Sequence, residues 1–289
     1  AFFFVGVFTV MAVDLAIARP IRALVGGGPL ASSYLSPLIE ELVKPLPVVG
    51  YLAYRMWRRS WRPSAPDGLL LGYVVGAGFG IHEDAAYRRV WGEGFGDGWS
   101  MLFPTIADFR GGTLPYHDVM NASVGLALGI AFLYRRYRAV WAVPAVVWLI
   151  VLAEHVTGNL RDISGRGPGW ASFVRGLLRE GELIMPVLVA GIVVAVVLEW
   201  RILRSIERQD PLFPAIPVRS FVDALRQRTT AGLRRLQAMR VYARSRRSVY
   251  YTVWSEPTLA AEKRNEMAAP LSALGINAGV PVDKTVEAY

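Results

Sequence analysis

The chain has 289 residues, 53% of them hydrophobic, and carries 32 lysines and arginines against 23 acids, for a net charge of +9. That apolar share and a positive mean hydropathy set it apart from ordinary soluble proteins. Cysteine is absent, which excludes a disulfide framework, a thiolate nucleophile and a zinc–sulfur site.

A membrane-crossing helix needs about 20 mostly apolar residues. Six stretches qualify, at 1–18, 35–55, 67–88, 116–134, 138–158 and 182–200. The expected fold is all-α: a polytopic transmembrane helix bundle of about six spans (residues 1–200) with a basic, amphipathic cytoplasmic C-terminal tail (residues 201–289). No basic segment precedes the first apolar run, so no cleavable signal-peptide pattern is read. Asp14 in that run has no assigned role.

Arginine placement sets the orientation. Arg55, Arg58, Arg59 and Arg62 follow the second span, Arg135, Arg136 and Arg138 the fourth, and Arg201, Arg204 and Arg208 the sixth. These connections are assigned to the cytoplasm. On the other side, Arg88, Arg89 and Arg110 are balanced by Glu93, Asp97 and Asp108, although Arg161, Arg166, Arg175 and Arg179 weaken the rule in the last outer loop.

Four polar motifs interrupt the apolar segments. They are Ser36-Pro37-Leu38-Ile39-Glu40-Glu41-Leu42-Val43-Lys44-Pro45, Phe79-Gly80-Ile81-His82-Glu83, His117-Asp118-Val119-Met120-Asn121 and His155-Val156-Thr157-Gly158-Asn159. On the inferred topology all four fall in the outer half of the membrane, and the inner halves of these spans are free of charge. Ionisable groups inside a span are costly and mark function. A transporter needs a polar path through both halves, so an outward-facing cavity suits an enzyme or a receptor better.

Residues four apart share a helix face, which pairs Glu40 with Lys44, Phe79 with Glu83, His117 with Asn121 and His155 with Asn159. Glu41 is turned about 100° from Glu40, which leaves Glu40 held by Lys44 and Glu41 as the water-activating base. Pro45 frees the Glu41 carbonyl and bends the helix. Pro37 suits a first helical position, which would put the glutamates near a helix N-terminus. No serine or cysteine nucleophile is evident. Two hydrolytic chemistries stay open. Glu83, His117 and His155 could bind a divalent metal such as zinc, or, with no cofactor, the histidines and Asn159 could donate hydrogen bonds to an oxyanion.

Gly72, Gly76 and Gly80, with Gly125 and Gly129 on the next span, suit a close helix–helix seam. The aromatics Trp91, Phe95, Trp99 and Phe103, and later Trp170 and Phe173, are expected at the membrane interface or in a lid. In the tail, Phe221, Leu225, Leu233, Leu236 and Met239 form the stripe of a basic helix suited to an anionic inner leaflet. No nucleic-acid reading motif accompanies the charge.

Glu-Glu-x-x-Lys, Phe-x-x-x-Glu and the two later helix-borne histidines, over residues 36–160, resemble the PrsW family of glutamic intramembrane proteases, distant relatives of the CAAX prenyl proteases and of APH. The CAAX relatives carry arginine one position later and histidine where Glu83 stands, so prenylated substrates fit less well. The resemblance implies an intramembrane endopeptidase in a bacterial cell membrane. It would cut single-pass membrane proteins such as anti-sigma factors near the extracytoplasmic face. By the same resemblance Glu40 and Glu41 are catalytic acids, Glu83 and His117 supporting groups, and His155 with Asn159 a further motif; Lys44, Phe79 and Asn121 support them. The competing reading is a non-catalytic scaffold or receptor with the same outward-facing polar cavity.

Overall fold

The computed structural model describes residues 19–24, 28–57, 63–91, 117–164, 168–209 and 230–255, with a few isolated positions besides; the side chains at 22, 29–32, 83–91, 161–164, 180, 207–209, 230, 231 and 255 lie outside this description. Among the described residues the chain is all-helical. In order, α1 is Arg19–Leu24, α2 Pro29–Val43, α3 Leu46–Trp57, α4 Ala65–Trp91, α5 His117–Leu133, α6 Ala142–Ser164, α7 Gly169–Leu177, α8 Ile184–Gln209 and α9 Thr230–Ser255.

The closest packing is made by glycine. A methyl group placed on Gly68 would overlap the carbonyl oxygen of Gly125, one on Gly72 that of Asn121, and one on Gly76 that of His117. Of the residues expected in the seam, Gly72, Gly76, Gly125 and Gly129 make the close approach between α4 and α5, which extends to Gly68; Gly80 is not among the contacts described. With no side chains between them the two backbones touch, and the start of α5 is held against the middle of α4. Ser64 and Asp67 anchor the beginning of α4 reciprocally: the Ser64 amide donates to Asp67 Oδ2 at 2.8 Å and the Asp67 amide to Ser64 Oγ at 3.3 Å, a capping box.

Helix α5 is the centre of the first of two compact units, which comprises Ala1–Trp57 and Pro63–Val196. Every residue of α5 except Ile130 is buried. Around it, Val48 and Leu52 of α3, Val75 of α4, Val151 of α6 and Ile184, Leu188 and Ala195 of α8 complete one apolar core. The second unit contains Arg58–Arg62 and Val197–Tyr289. There Tyr242, Val249 and Tyr250 of α9 close on Ile206 and Leu203 at the end of α8.

Two described helical segments are long and apolar enough to cross a bilayer, Arg138–Leu160 and Ile184–Ile206; His117–Leu133 is apolar but shorter. By that criterion two of the six expected spans are supported. The stretch 35–55 is not one helix but two, because the chain breaks at Lys44-Pro45. The apolar character of α5 serves burial among other helices. Exposed apolar residues concentrate instead on α6 (Val143, Val146, Leu149, Ile150) and α8 (Val187, Val189, Val193, Val196), as a lipid-facing surface requires.

Trp170 and Phe173 on α7 are exposed, and the Trp170 ring stacks on Tyr34 at 6.1 Å. Asp14, Phe95, Trp99, Phe103, Phe221 and Leu225 lie outside the described residues. Leu236 and Met239 do belong to a buried stripe of α9, but Leu233 is 66% exposed. It lies on the far side because the stripe follows the spacing of Leu236, Met239, Tyr242, Val249 and Tyr250.

Candidate active site

The site is built where the second expected span breaks. Pro45 has no amide to donate to the Glu41 carbonyl, and α2 ends at Val43. That carbonyl accepts instead the indole N–H of Trp148 on α6, at 2.6 Å. Pro37 is not the helix start expected of it: α2 begins at Pro29 and Pro37 lies in its interior. Glu40 and Glu41 thus occupy the last turn of α2, where the helix dipole opposes negative charge. Compensation has to come from side chains.

Lys44 supplies most of it. Its side chain is fully buried, and its ammonium lies 2.5 Å from Glu41 Oε1 and 3.7 Å from Glu40 Oε2. The same nitrogen is 2.9 Å from His117 Nδ1 on α5 and 3.9 Å from the centre of the Phe79 ring on α4, a cation–π contact. The expected division, with Glu40 held by Lys44 and Glu41 turned elsewhere, is therefore not what forms. Glu41 is 1% exposed, whereas the Glu40 side chain is 18% exposed at the rim. A desolvated ammonium needs its closest partner to be the desolvated carboxylate.

His155 on α6 meets the same carboxylate oxygen as Lys44. Its Nδ1 is 2.8 Å from Glu41 Oε1. An ionised carboxylate only accepts, so Nδ1 carries the proton and, in the neutral ring, Nε2 presents a lone pair. That Nε2 lies 3.7 Å from Glu40 Oε2. The two imidazoles are 5.0 Å apart, and Phe79 meets His117 edge-on at 4.5 Å, which fixes the His117 ring between α4 and α6. Glu41 Oε2 is buried and has no hydrogen-bond partner among the described residues. A buried oxygen of that kind is where a water or substrate proton would bind.

Three donors of the cluster lie close enough to share a metal. Glu40, His117 and His155 each offer one ligand atom, all within 4.8 Å of one another. Two ligands on a tetrahedral zinc, each at about 2.0–2.1 Å, stand about 3.3 Å apart, close to the Glu40–His155 separation. Glu41 behind His155 is the carboxylate–histidine arrangement that orients such ligands. By position the three fit a divalent ion, His117 once Lys44 releases its Nδ1, with Glu40 in the place expected of Glu83, whose side chain lies outside the described residues.

Both asparagines also tie elements of the site together, Asn121 through its side chain and Asn159 through its backbone. The Asn121 side chain donates to the His117 carbonyl at 2.9 Å, bracing the first turn of α5. The Asn159 carbonyl accepts from the Ser33 hydroxyl at 3.5 Å, linking α6 to α2. Two residues escaped the sequence reading. Trp148 was findable, because the carbonyl freed by Pro45 needs a donor. Glu154, 1% exposed, was visible as an acid beside His155 in an apolar helix.

A family model described as PrsW family intramembrane metalloprotease matches residues 1–198. Among curated proteins and among solved structures there is no match.

Proposed function

Since the chain belongs to the PrsW family of intramembrane metalloproteases and is a membrane-embedded peptidase, we propose that it hydrolyses a peptide bond of a single-pass membrane protein, in the manner of an anti-sigma factor, with the buried cluster on α2, α4, α5 and α6 as its active site. One observation carries this reading: Glu40, Glu41, Lys44, Phe79, His117 and His155 converge from four segments remote in sequence, with Glu41 and Lys44 desolvated together and Glu40 at the rim. Such an arrangement is expensive as mere packing. Glu40, His117 and His155 would hold the metal. When bound, that ion supplies Lewis-acid polarisation of the scissile carbonyl and of the attacking water.

Glu41 Oε2 takes the proton of the water that adds to the carbonyl and delivers it to the departing amine. Glu41 Oε1 meanwhile holds the Nδ1 proton of His155, so Nε2 stays available. Lys44 holds Glu41 in place and puts positive charge beside the carbonyl oxygen as negative charge develops there. In this proposal the chain crosses a bacterial cell membrane about six times, with residues 1–200 as the peptidase, 201–289 as a cytoplasmic tail and the site in the extracytoplasmic half. The arginine-rich connections support that orientation.

Glu40→Gln and Glu41→Gln, each co-expressed with a tagged candidate substrate and each assayed for bound metal, test the assignment. Glu41→Gln should keep its metal and lose about 10²–10⁴ of its turnover; Glu40→Gln should lose both. Unimpaired processing in both variants would remove this cluster from the chemistry. Full activity of thoroughly metal-depleted protein would leave a purely glutamate-driven hydrolysis.

A further inference from the structure

Residues 199–289 lie beyond the family match, and α9 in that region carries a surface the peptidase chemistry does not use. Helix α9 contains six arginines and no acid. Its buried side, through Leu236, Met239, Tyr242, Val249 and Tyr250, is occupied inside its own unit by Leu203 and Ile206 of α8 among others. The helix therefore has no free apolar stripe to insert into lipid. Its opposite side carries Arg234, Arg240 and Arg244, all exposed, with Leu233 and Val241 exposed at 66% and 48% between them. At 100° per residue these five positions fall within about 120° of the helix circumference.

The same unit contains a depth marker. The apolar run of α8 ends at Trp200, 54% exposed, followed by exposed Arg201 and Arg204, and the Arg204 guanidinium lies 5.5 Å from the Trp200 ring. A tryptophan and arginines at the end of an apolar run sit at the membrane–water boundary. Because α9 packs on Leu203 and Ile206, at the very end of the candidate span Ile184–Ile206, it lies at the headgroup end of α8.

We propose that the Arg234–Arg240–Arg244 side of α9 is a docking surface for the anionic phospholipid headgroups of the membrane that α8 enters. The contact is electrostatic, with Leu233 and Val241 as shallow apolar contacts. A duplex nucleic acid would also attract arginines, but α8 presents a bilayer boundary within the same unit.

The absence of cysteine allows a single probe. The full chain with Gln237→Cys, a position exposed among these arginines, is labelled with an environment-sensitive fluorophore. It is placed in nanodiscs of phosphatidylcholine alone or with phosphatidylglycerol, each containing a headgroup spin-labelled lipid as quencher. Stronger quenching is expected in the anionic nanodiscs, declining as salt rises from about 0.05 to 0.5 M. Each arginine near such a surface is worth about fivefold in association, so Arg234→Gln with Arg240→Gln should weaken it about 25-fold. Both substitutions lie on the exposed side and leave the packing on Ile206 intact. Equal quenching in the two nanodiscs overturns the proposal, as does indifference to the double substitution. So does a probe that responds to a duplex oligonucleotide and not to anionic lipid. Peptidase activity is not the readout, so the result is independent of the active-site assignment.

Discussion

Pro45 removes one backbone donor, and much of the site follows from that loss. The helix carrying Glu40 and Glu41 stops, Lys44 turns inward to meet both carboxylates and His117, and Trp148 fills the missing bond to the Glu41 carbonyl. Leaving a buried carbonyl without its donor costs about 1–3 kcal/mol. Trp148→Phe, which keeps the ring and deletes the N–H, should therefore lower the melting temperature in detergent. Because the orphaned carbonyl belongs to the residue bearing the proposed base, kcat should fall while KM holds. A variant with unchanged melting and unchanged kcat would reduce Trp148 to a filler of space.

At the scale of elements, α4 and α5 show how small residues position chemistry at a distance. Gly76 abuts the His117 carbonyl and Gly72 the Asn121 carbonyl, so the seam determines where the His117 ring stands relative to Phe79 and Lys44. Backbone cannot rotate aside as a side chain can. Gly72→Val should cost at least the 1–3 kcal/mol typical of overpacking, and should lower activity through displacement of His117. Gly50 on α3 has nothing within 4 Å of an added methyl, so Gly50→Ala should be neutral or slightly stabilising. Melting of the two variants in the same detergent makes the comparison; equal melting would mean that the seam tolerates side chains.

Over the whole molecule the apolar residues divide into two populations. One fills the core around α5; the other faces outward from α6 and α8, as on a helix that meets lipid. Val193, 57% exposed on α8, separates a lipid-facing helix from a water-facing one. A lysine near the centre of a span costs about 2.5–3.5 kcal/mol on insertion, so Val193→Lys should cut the membrane-inserted fraction severalfold in a glycosylation-mapping assay. A helix facing water would be made more soluble by the same change and would show no insertion defect.

The sequence by itself determined the all-helical class, the positions of the polar motifs, the glycine seam and the family, because each is a matter of composition and local spacing. Glu40, Glu41, His117 and His155 stood out as charges or histidines in apolar surroundings, where burial makes them costly. Pro45 announced an orphaned carbonyl without saying which donor would find it. Only the tertiary structure decided that the donor is Trp148, from a different helix. It also decided that α2 begins at Pro29, which reverses the dipole at the glutamates, and that Glu41 rather than Glu40 is the closer partner of Lys44. Spacing along one helix places both acids within reach of the lysine. Which of them is desolvated with it depends on the face that α5 and α6 cover, and that is a long-range fact.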